Sequence, residues 1–338
     1  MQEVASVILI AGDYFMDELL EQLQSADRVA QLEALRQLEK DNRRDAIPAV
    51  LPLLESPDGG VRGSAALFLA KLAPLGDDVV GRRILAALSY IPDTSDFDEL
   101  DNKLARVDIT DALGVMLYTP AIPALQTMAL ANAEWMLRHS AILALEEMRS
   151  VESFGAFARA VETDESPVVQ SLAAWAIYVV ARPEHLAEIR RLVESQRDTP
   201  ANLIRLLLAG YKLGVTDYFA QILHLLETID DASEALNCLR ALDHAYQGQQ
   251  APQAIADIPE LMRALQVMAN RFPDTEITFA EVIDGLDEAV SSDNDEEYDT
   301  AIASLDRRLA HPEIANLLDQ LTRILAGEVI PPSAATHG

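Results

Sequence analysis

Three stretches of the sequence repeat one pattern, and their spacing constrains the fold more than any other feature. Imperfect copies of Val-Arg-Gly-Ser-Ala-Ala-Leu occupy residues 61–67, 137–143 and 168–174. Each copy lies within a longer apolar stretch and follows a short turn that is acidic or contains proline. The spacings of 76 and 31 residues fit copies one, three and four of a unit of about 31–38 residues. Recurrence at this period is typical of a solenoid, which is a surface for holding something.

The unit that contains the first copy is predicted to form two helices joined by a turn. Residues 46–54 have helical spacing, with Pro48 near the start, where proline is tolerated. Pro52 lies further inside and is expected to kink this helix. A Ser-Pro-Asp-Gly-Gly turn follows, and the second helix is predicted from Val61 to about Ala73. Small residues on this second helix allow neighbouring helices to approach closely.

These residues resemble a HEAT repeat. In that family a proline bends the first helix, an aspartate lies in the turn and Val-Arg opens the second helix, as Asp58, Val61 and Arg62 do here. The match is strong in this unit and partial in residues 122–145 and 164–179, where Gln170 replaces the arginine. The short repeats are also similar to those of phycobilin lyase subunits. The resemblance implies an all-α fold, a right-handed α-solenoid of HEAT-like helix pairs, and it implies little about function.

The predicted organisation has three parts. Residues 1–271 form a HEAT-like repeat array of about seven helix pairs, residues 272–326 form a C-terminal helical cap, and residues 327–338 form a disordered tail. One unit departs from the pattern, because a longer acidic connection from Asp93 to Asp101 precedes a helix predicted from Leu104. An insertion in a repeat often marks a functional loop.

The charge balance restricts the classes of partner. With 26 basic and 55 acidic residues the formal net charge is −29, which disfavours binding to nucleic acid and to anionic membrane surfaces. The expected partner is a protein with a basic or amphipathic segment. No stretch reaches the length of a membrane span, and no basic residue precedes Arg28, so a secretory signal is not predicted. A cytoplasmic location is expected.

Signatures of catalysis or cofactor binding are missing from the sequence. The six histidines are scattered singly, one cysteine is present, and no glycine-rich phosphate loop or nucleophile elbow occurs. The acidic run of residues 293–299 fails the EF-hand pattern, because its sixth and twelfth positions hold Tyr298 and Ser304. We therefore predict no catalytic residue, no metal and no cofactor.

Aromatic residues are the first set of candidate partner-binding residues. Alignment of the copies that begin at Val61 and Val168 places Phe68 opposite Trp175, and Lys71 opposite Tyr178. The positions of Phe68, Trp175 and Tyr178 would face the concave side of a HEAT array, and Trp135 and Tyr211 are candidates to join them. The alternative is that these rings fill gaps between alanine-rich helices. Exposure of the rings separates the two interpretations.

The acidic connection supplies a second set of candidates, Asp96, Asp98 and Glu99. Together the two sets predict a non-enzymatic scaffold or adaptor that holds a locally basic partner protein on its concave face and acidic loops.

The resemblance also implies an alternative, a lyase-like or chaperone-like subunit that positions a tetrapyrrole and its acceptor protein. That alternative needs an arginine or histidine beside the aromatic rings, for which Arg138 and His139 are the candidates. Nucleic-acid processing on HEAT repeats is a third possibility, and the net charge argues against it.

Overall fold

The computed structural model describes residues 18–90, 99–247, 258–272 and 295–325. Within these ranges every regular element is helical, which confirms the predicted all-α fold of HEAT-like helix pairs. The α-helices are α1 (18–23), α2 (Arg28–Lys40), α3 (Ile47–Val50), α4 (Gly59–Leu72), α5 (Asp78–Ala87), α6 (Glu99–Val115), α7 (Ile122–Ala131), α8 (Trp135–Glu147), α9 (Phe154–Thr163), α10 (Pro167–Val180), α11 (Leu186–Ser195), α12 (Pro200–Lys212), α13 (Asp217–Thr228), α14 (Ala232–Gln247), α15 (Ile258–Arg271) and α16 (Asp295–Leu325).

The first helix of the clearest HEAT unit is broken where the sequence predicts. Helix α3 ends at Val50 and continues as a 3₁₀ helix over Leu51–Glu55. Pro52 lies in this second segment. Proline lacks the amide hydrogen that an α-helix needs, and its ring crowds the preceding turn, so the tighter geometry replaces the α-helix.

Two of the second helices begin earlier than predicted. Helix α4 begins at Gly59, because Asp58 caps it and its carboxylate accepts a hydrogen bond from the amide of Val61 at 2.9 Å. Helix α6 begins at Glu99 rather than Leu104. The last residues of the supposed acidic connection are therefore helical.

Second helices of successive pairs pack directly on one another. Helix α4 contacts α2 and α6, and α6 contacts α8. Glycine permits this close approach at two points. A β-carbon on Gly63 would collide with the carboxylate of Asp108, and one on Gly114 would lie 2.8 Å from the Cα atom of Ala144. The core of this region is accordingly built from small and aliphatic side chains at close range.

The chain divides into two compact units, Met1–Ala176 and Ile177–Gly338, a division that the sequence did not predict. In the second unit α12 packs with α11, α13 and α14, and α16 packs on α14 and α15. An ion pair of 2.6 Å between Arg240 and Glu313 joins α14 to α16. The proposed boundaries of the array, the cap and the tail stay predictions.

Candidate functional site

The turn between the two helices of a repeat is built in the same way in the three copies of the repeated pattern. The Ser56 hydroxyl accepts a hydrogen bond from the backbone amide two residues later at 3.2 Å, and the Ser56 carbonyl accepts one from Arg62 at 2.7 Å. Asn132 repeats this arrangement: its side chain accepts from the amide two residues later at 2.9 Å, and its carbonyl accepts from Arg138 at 2.9 Å. The repeat arginine thus reaches back six residues to satisfy a turn carbonyl.

The third copy keeps the arrangement with a different donor. The Asp164 carboxylate accepts from the amide two residues later at 2.9 Å, and its carbonyl accepts from the Gln170 side chain at 2.6 Å. Gln170 therefore occupies the position of Arg62. It follows that Val169, which is fully buried, corresponds to the buried Val61, whereas Val168 is 53% exposed. The prediction that Gln170 replaces the arginine is confirmed, and the alignment that placed Val168 opposite Val61 is wrong by one residue.

The corrected register changes which residues of the first copy are equivalent to the aromatic residues of the third. Trp175 now matches Leu67, and Tyr178 matches Ala70. Phe68 and Tyr178 are both 0% exposed, so the expectation that they face a groove is wrong. They occupy buried positions of the second helix, where large rings fill space beside small residues.

Each of the other aromatic candidates is partly accessible. Trp135 begins α8, is 47% exposed and makes an edge contact with His139 at a centroid distance of 6.5 Å. Trp175 and Tyr211 are half-buried, and the ring of Tyr211 stacks on Phe219 at 5.3 Å. A role of these rings in partner binding stays a prediction.

The second set of candidates falls largely outside the described residues. Asp96 and Asp98 lie there, as does the side chain of Glu99, whose backbone begins α6.

Arg138 has a structural role, because its guanidinium group is paired with a carboxylate of the fold. Its Nε and Nη2 atoms donate to the two carboxylate oxygens of Asp164 at 2.7 and 2.8 Å, and the side chains are 12% and 4% exposed. This hydrogen bonding to Asp164 raises the pKa of Arg138. Burial lowers the pKa of the neighbouring His139, against an opposing effect of Asp111. This pair therefore does not present the free cation that a ligand carboxylate would need.

Four carboxylates on α6 and α8, which we call the acidic face, form a group that the sequence analysis missed. They are Asp108, Asp111, Glu146 and Glu147. In the part of the chain that the structure describes, none of the four makes an ion pair. Ser140 donates a hydrogen bond to Asp111, and the nearby cationic group for Glu146 is Arg149. Two of the four lie against a glycine of the preceding second helix: Asp108 against Gly63, and Glu147 against Gly114.

The environment of these four carboxylates raises their pKa values and so favours their protonated forms. Burial, followed by the charge of Asp111, raises the pKa of Asp108 to about 6. Although Glu147 is exposed, desolvation beside α6, followed by the charges of Glu146 and Asp111, raises its pKa to about 7. Burial also raises the pKa of Asp111 and of Glu146. A cation bound at this face would stabilise the ionised carboxylates, which burial and mutual repulsion otherwise disfavour.

The described residues contain no group of three or more His, Cys, Asp or Glu side chains arranged to hold a metal ion. No described helix combines the length and the apolar character that crossing a bilayer demands.

Comparison with known proteins supports the repeat assignment. The profile of the HEAT-repeat family matches residues 16–93, a range that includes α1 to α5. The resemblance inferred from the residues around Val61 is confirmed for this part of the chain.

One solved structure similar to this chain is the complex of CpcE and CpcF of phycocyanin lyase from Nostoc sp. PCC7120. The sequences are 18% identical, the match covers 76% of this chain and 94% of that chain, and the TM-score is 0.39. Similarity at this level carries no argument about function. No curated protein matches the sequence.

Proposed function

We propose that this chain is a non-enzymatic, cytoplasmic scaffold that holds a locally basic segment of a partner protein on the acidic face. The observation that carries the proposal is the set of four carboxylates on α6 and α8 without ion-pair partners among the described residues. Lysine or arginine side chains of a partner would supply the missing positive charges. The formal net charge of −29 would speed the approach of such a partner.

Trp135 extends the proposed surface with an apolar contact. It begins the helix whose other end carries Glu146 and Glu147. Tryptophan is among the residues that most often dominate binding energy at protein interfaces. An amphipathic partner segment could therefore place its basic side chains on the carboxylates and an apolar side chain on this ring.

Binding of an amphipathic lysine–leucine peptide of about 14 residues tests the proposal. The variant Asp108→Asn, Asp111→Asn, Glu146→Gln and Glu147→Gln removes the acidic face. The control variant neutralises four exposed carboxylates elsewhere in the first unit, as Glu21→Gln, Glu33→Gln, Glu152→Gln and Glu165→Gln.

We expect the first variant to weaken the peptide's affinity, measured by fluorescence anisotropy, about tenfold, and the control to weaken it less than about threefold. Equal losses in the two variants would show that only total charge matters and would refute a localised site.

The alternative of a lyase-like or chaperone-like subunit for a tetrapyrrole and its acceptor protein gains no support from Arg138, because Asp164 holds its guanidinium. That alternative would gain support if the purified chain absorbed visible light after incubation with a linear tetrapyrrole and the colour survived gel filtration.

A further inference from the structure

Arg106 occupies the repeat-arginine position of the third helix pair. The order of buried and exposed positions in residues 109–116 of α6 is identical to that in residues 65–72 of α4. This register places Ala105 and Arg106 opposite Val61 and Arg62. The sequence concealed the correspondence, because alanine replaces valine and an insertion precedes the helix.

The backbone carbonyl six residues before this arginine lies within a helix, unlike in the other copies. In the other copies the side chain donates to the carbonyl six residues earlier, but for Arg106 that residue is Leu100, which lies inside α6. A carbonyl within a helix already accepts from a helical amide. The Nε atom of Arg106 is buried and has no hydrogen-bond partner in the described structure. A buried donor without a partner is unfavourable, because it has lost its hydrogen bonds to water.

Arg106 also lines a cavity of about 760 Å³ in the first unit. The residues that line it include Leu88, Tyr90, Ala131 and Ala133. A volume of this size accommodates a small organic molecule or the end of a polypeptide.

The charges around the cavity favour a single negative group. Lys103 and Glu134, which also line it, pair with each other at 2.9 Å. Among the described residues that line the cavity, Arg106 carries the charge that remains after this pair. A single guanidinium suits a carboxylate better than a doubly charged phosphate. The planar guanidinium also matches a carboxylate in bidentate geometry.

We propose that this cavity, the Arg106 pocket, binds a carboxylate attached to an apolar body. The guanidinium pairs with the carboxylate, and the side chains of Leu88, Tyr90 and Ala133 contact the apolar part. The carboxylate could belong to a free aromatic acid or to the C-terminus of a polypeptide. The site is independent of the acidic face and of a basic partner.

The probes for the test are 2-naphthoate and a short peptide ending in a free Phe carboxylate, each compared with its uncharged amide. Affinities for the full chain would be measured by isothermal titration calorimetry and by saturation-transfer NMR. We expect saturable binding of at least one free acid and about tenfold weaker binding of its amide. Preference for naphthoate assigns the pocket to free acids, and preference for the peptide assigns it to polypeptide ends.

The matched variants are Arg106→Gln, Arg106→Lys and the control Arg82→Gln, which removes an exposed arginine of α5. We expect a loss of about tenfold for Arg106→Gln, a smaller loss for Arg106→Lys because the charge remains without the bidentate fork, and no change for the control. Circular dichroism confirms that each variant is folded.

Absence of saturable binding by both acids, or equal binding by Arg106→Gln and the wild type, would overturn the proposal. The four-residue variant of the acidic face should retain naphthoate binding, so the outcome is separable from that of the scaffold proposal.

Discussion

At the scale of single residues, the repeat arginine is a structural element rather than a ligand-binding group wherever its turn is complete. Arg62 and Arg138 each close the preceding turn, and both also reach the next repeat, through Asn102 and Asp164 respectively. Arg106 has the same position, but the residue six positions earlier lies within α6 and its own Nε atom has no hydrogen-bond partner in the described structure, so the same residue type becomes a candidate for binding. The local acceptor, rather than the residue type, decides between the two roles.

Replacement of Arg138 by alanine should destabilise the first unit by about 3 kcal/mol, because it leaves the nearly buried Asp164 carboxylate without its cation. The variant Arg138→Gln should recover part of this loss, since glutamine can donate to the turn carbonyl as Gln170 does. Urea unfolding followed by circular dichroism measures the difference. The exposed Arg159→Ala is the control, and an equal effect of the two alanine variants would contradict the role assigned to Arg138.

The raised pKa of Asp108 predicts a stability difference that depends on pH. Because the pKa is 3.8 for an unperturbed aspartate and about 6 for Asp108 in the fold, protonation stabilises the folded chain. This contribution is fully present below about pH 4 and is lost as the pH rises through about 6. Asp108→Asn should therefore be more stable than the wild type by about 1 kcal/mol at pH 7.5, after allowance for solvent screening.

The difference between Asp108→Asn and the wild type should disappear near pH 4. Thermal unfolding at the two pH values measures it, and a constant difference across this range would show that the Asp108 carboxylate does not titrate as inferred.

At the scale of helices, close contact between α6 and α8 depends on the absence of a side chain at Gly114. An added β-carbon would lie 2.8 Å from a backbone atom of Ala144 and would collide with the Glu147 carboxylate. Gly114→Ala should therefore cost about 1–3 kcal/mol, because α8 must shift. Gly155→Ala is the matched control: its β-carbon would meet no atom within 4 Å, and alanine is the better helix former. Chemical denaturation compares the two, and a neutral Gly114→Ala would argue against tight packing of these helices.

The helical elements were largely predictable, and the register of the third copy was not. The proline break at Pro52 and the Asp58 cap follow from local chemistry that a sequence displays directly. Val168 and Val169, in contrast, both satisfy an apolar position, so apolar spacing alone could not distinguish them. The match of Gln170 to the repeat arginine indicated Val169, and the burial of Val169 together with the hydrogen bond from Gln170 to the Asp164 carbonyl establishes it.

The candidate site was harder to predict than the fold, for a physical reason. An aromatic residue at such a position can line an exposed groove or fill a gap between packed helices. Phe68 and Tyr178 are buried and fill gaps. The acidic face arises because carboxylates of one helix lie against its neighbour, a proximity that exists only after the pairs stack. Arg106 was not recognised because Ala105 occupies the valine position and a longer connection precedes its helix.

At the scale of the whole molecule, the excess of negative charge should lower stability at low ionic strength. A formal net charge of −29 produces self-repulsion that salt screens. The melting temperature should therefore rise by a few degrees between about 10 and 300 mM NaCl. Differential scanning calorimetry measures the shift, and a fall in melting temperature would indicate that ion pairs such as Arg138–Asp164 outweigh the general repulsion.

The most direct test of the proposed scaffold is hydrogen–deuterium exchange of the full chain with and without the amphipathic lysine–leucine peptide. If the peptide binds the acidic face, we expect it to slow exchange in α6 and α8. The four-residue variant should lose this protection, and the control variant should keep it. Protection confined to other helices, or unchanged exchange at a peptide concentration that saturates binding, would contradict the assignment of partner binding to this face.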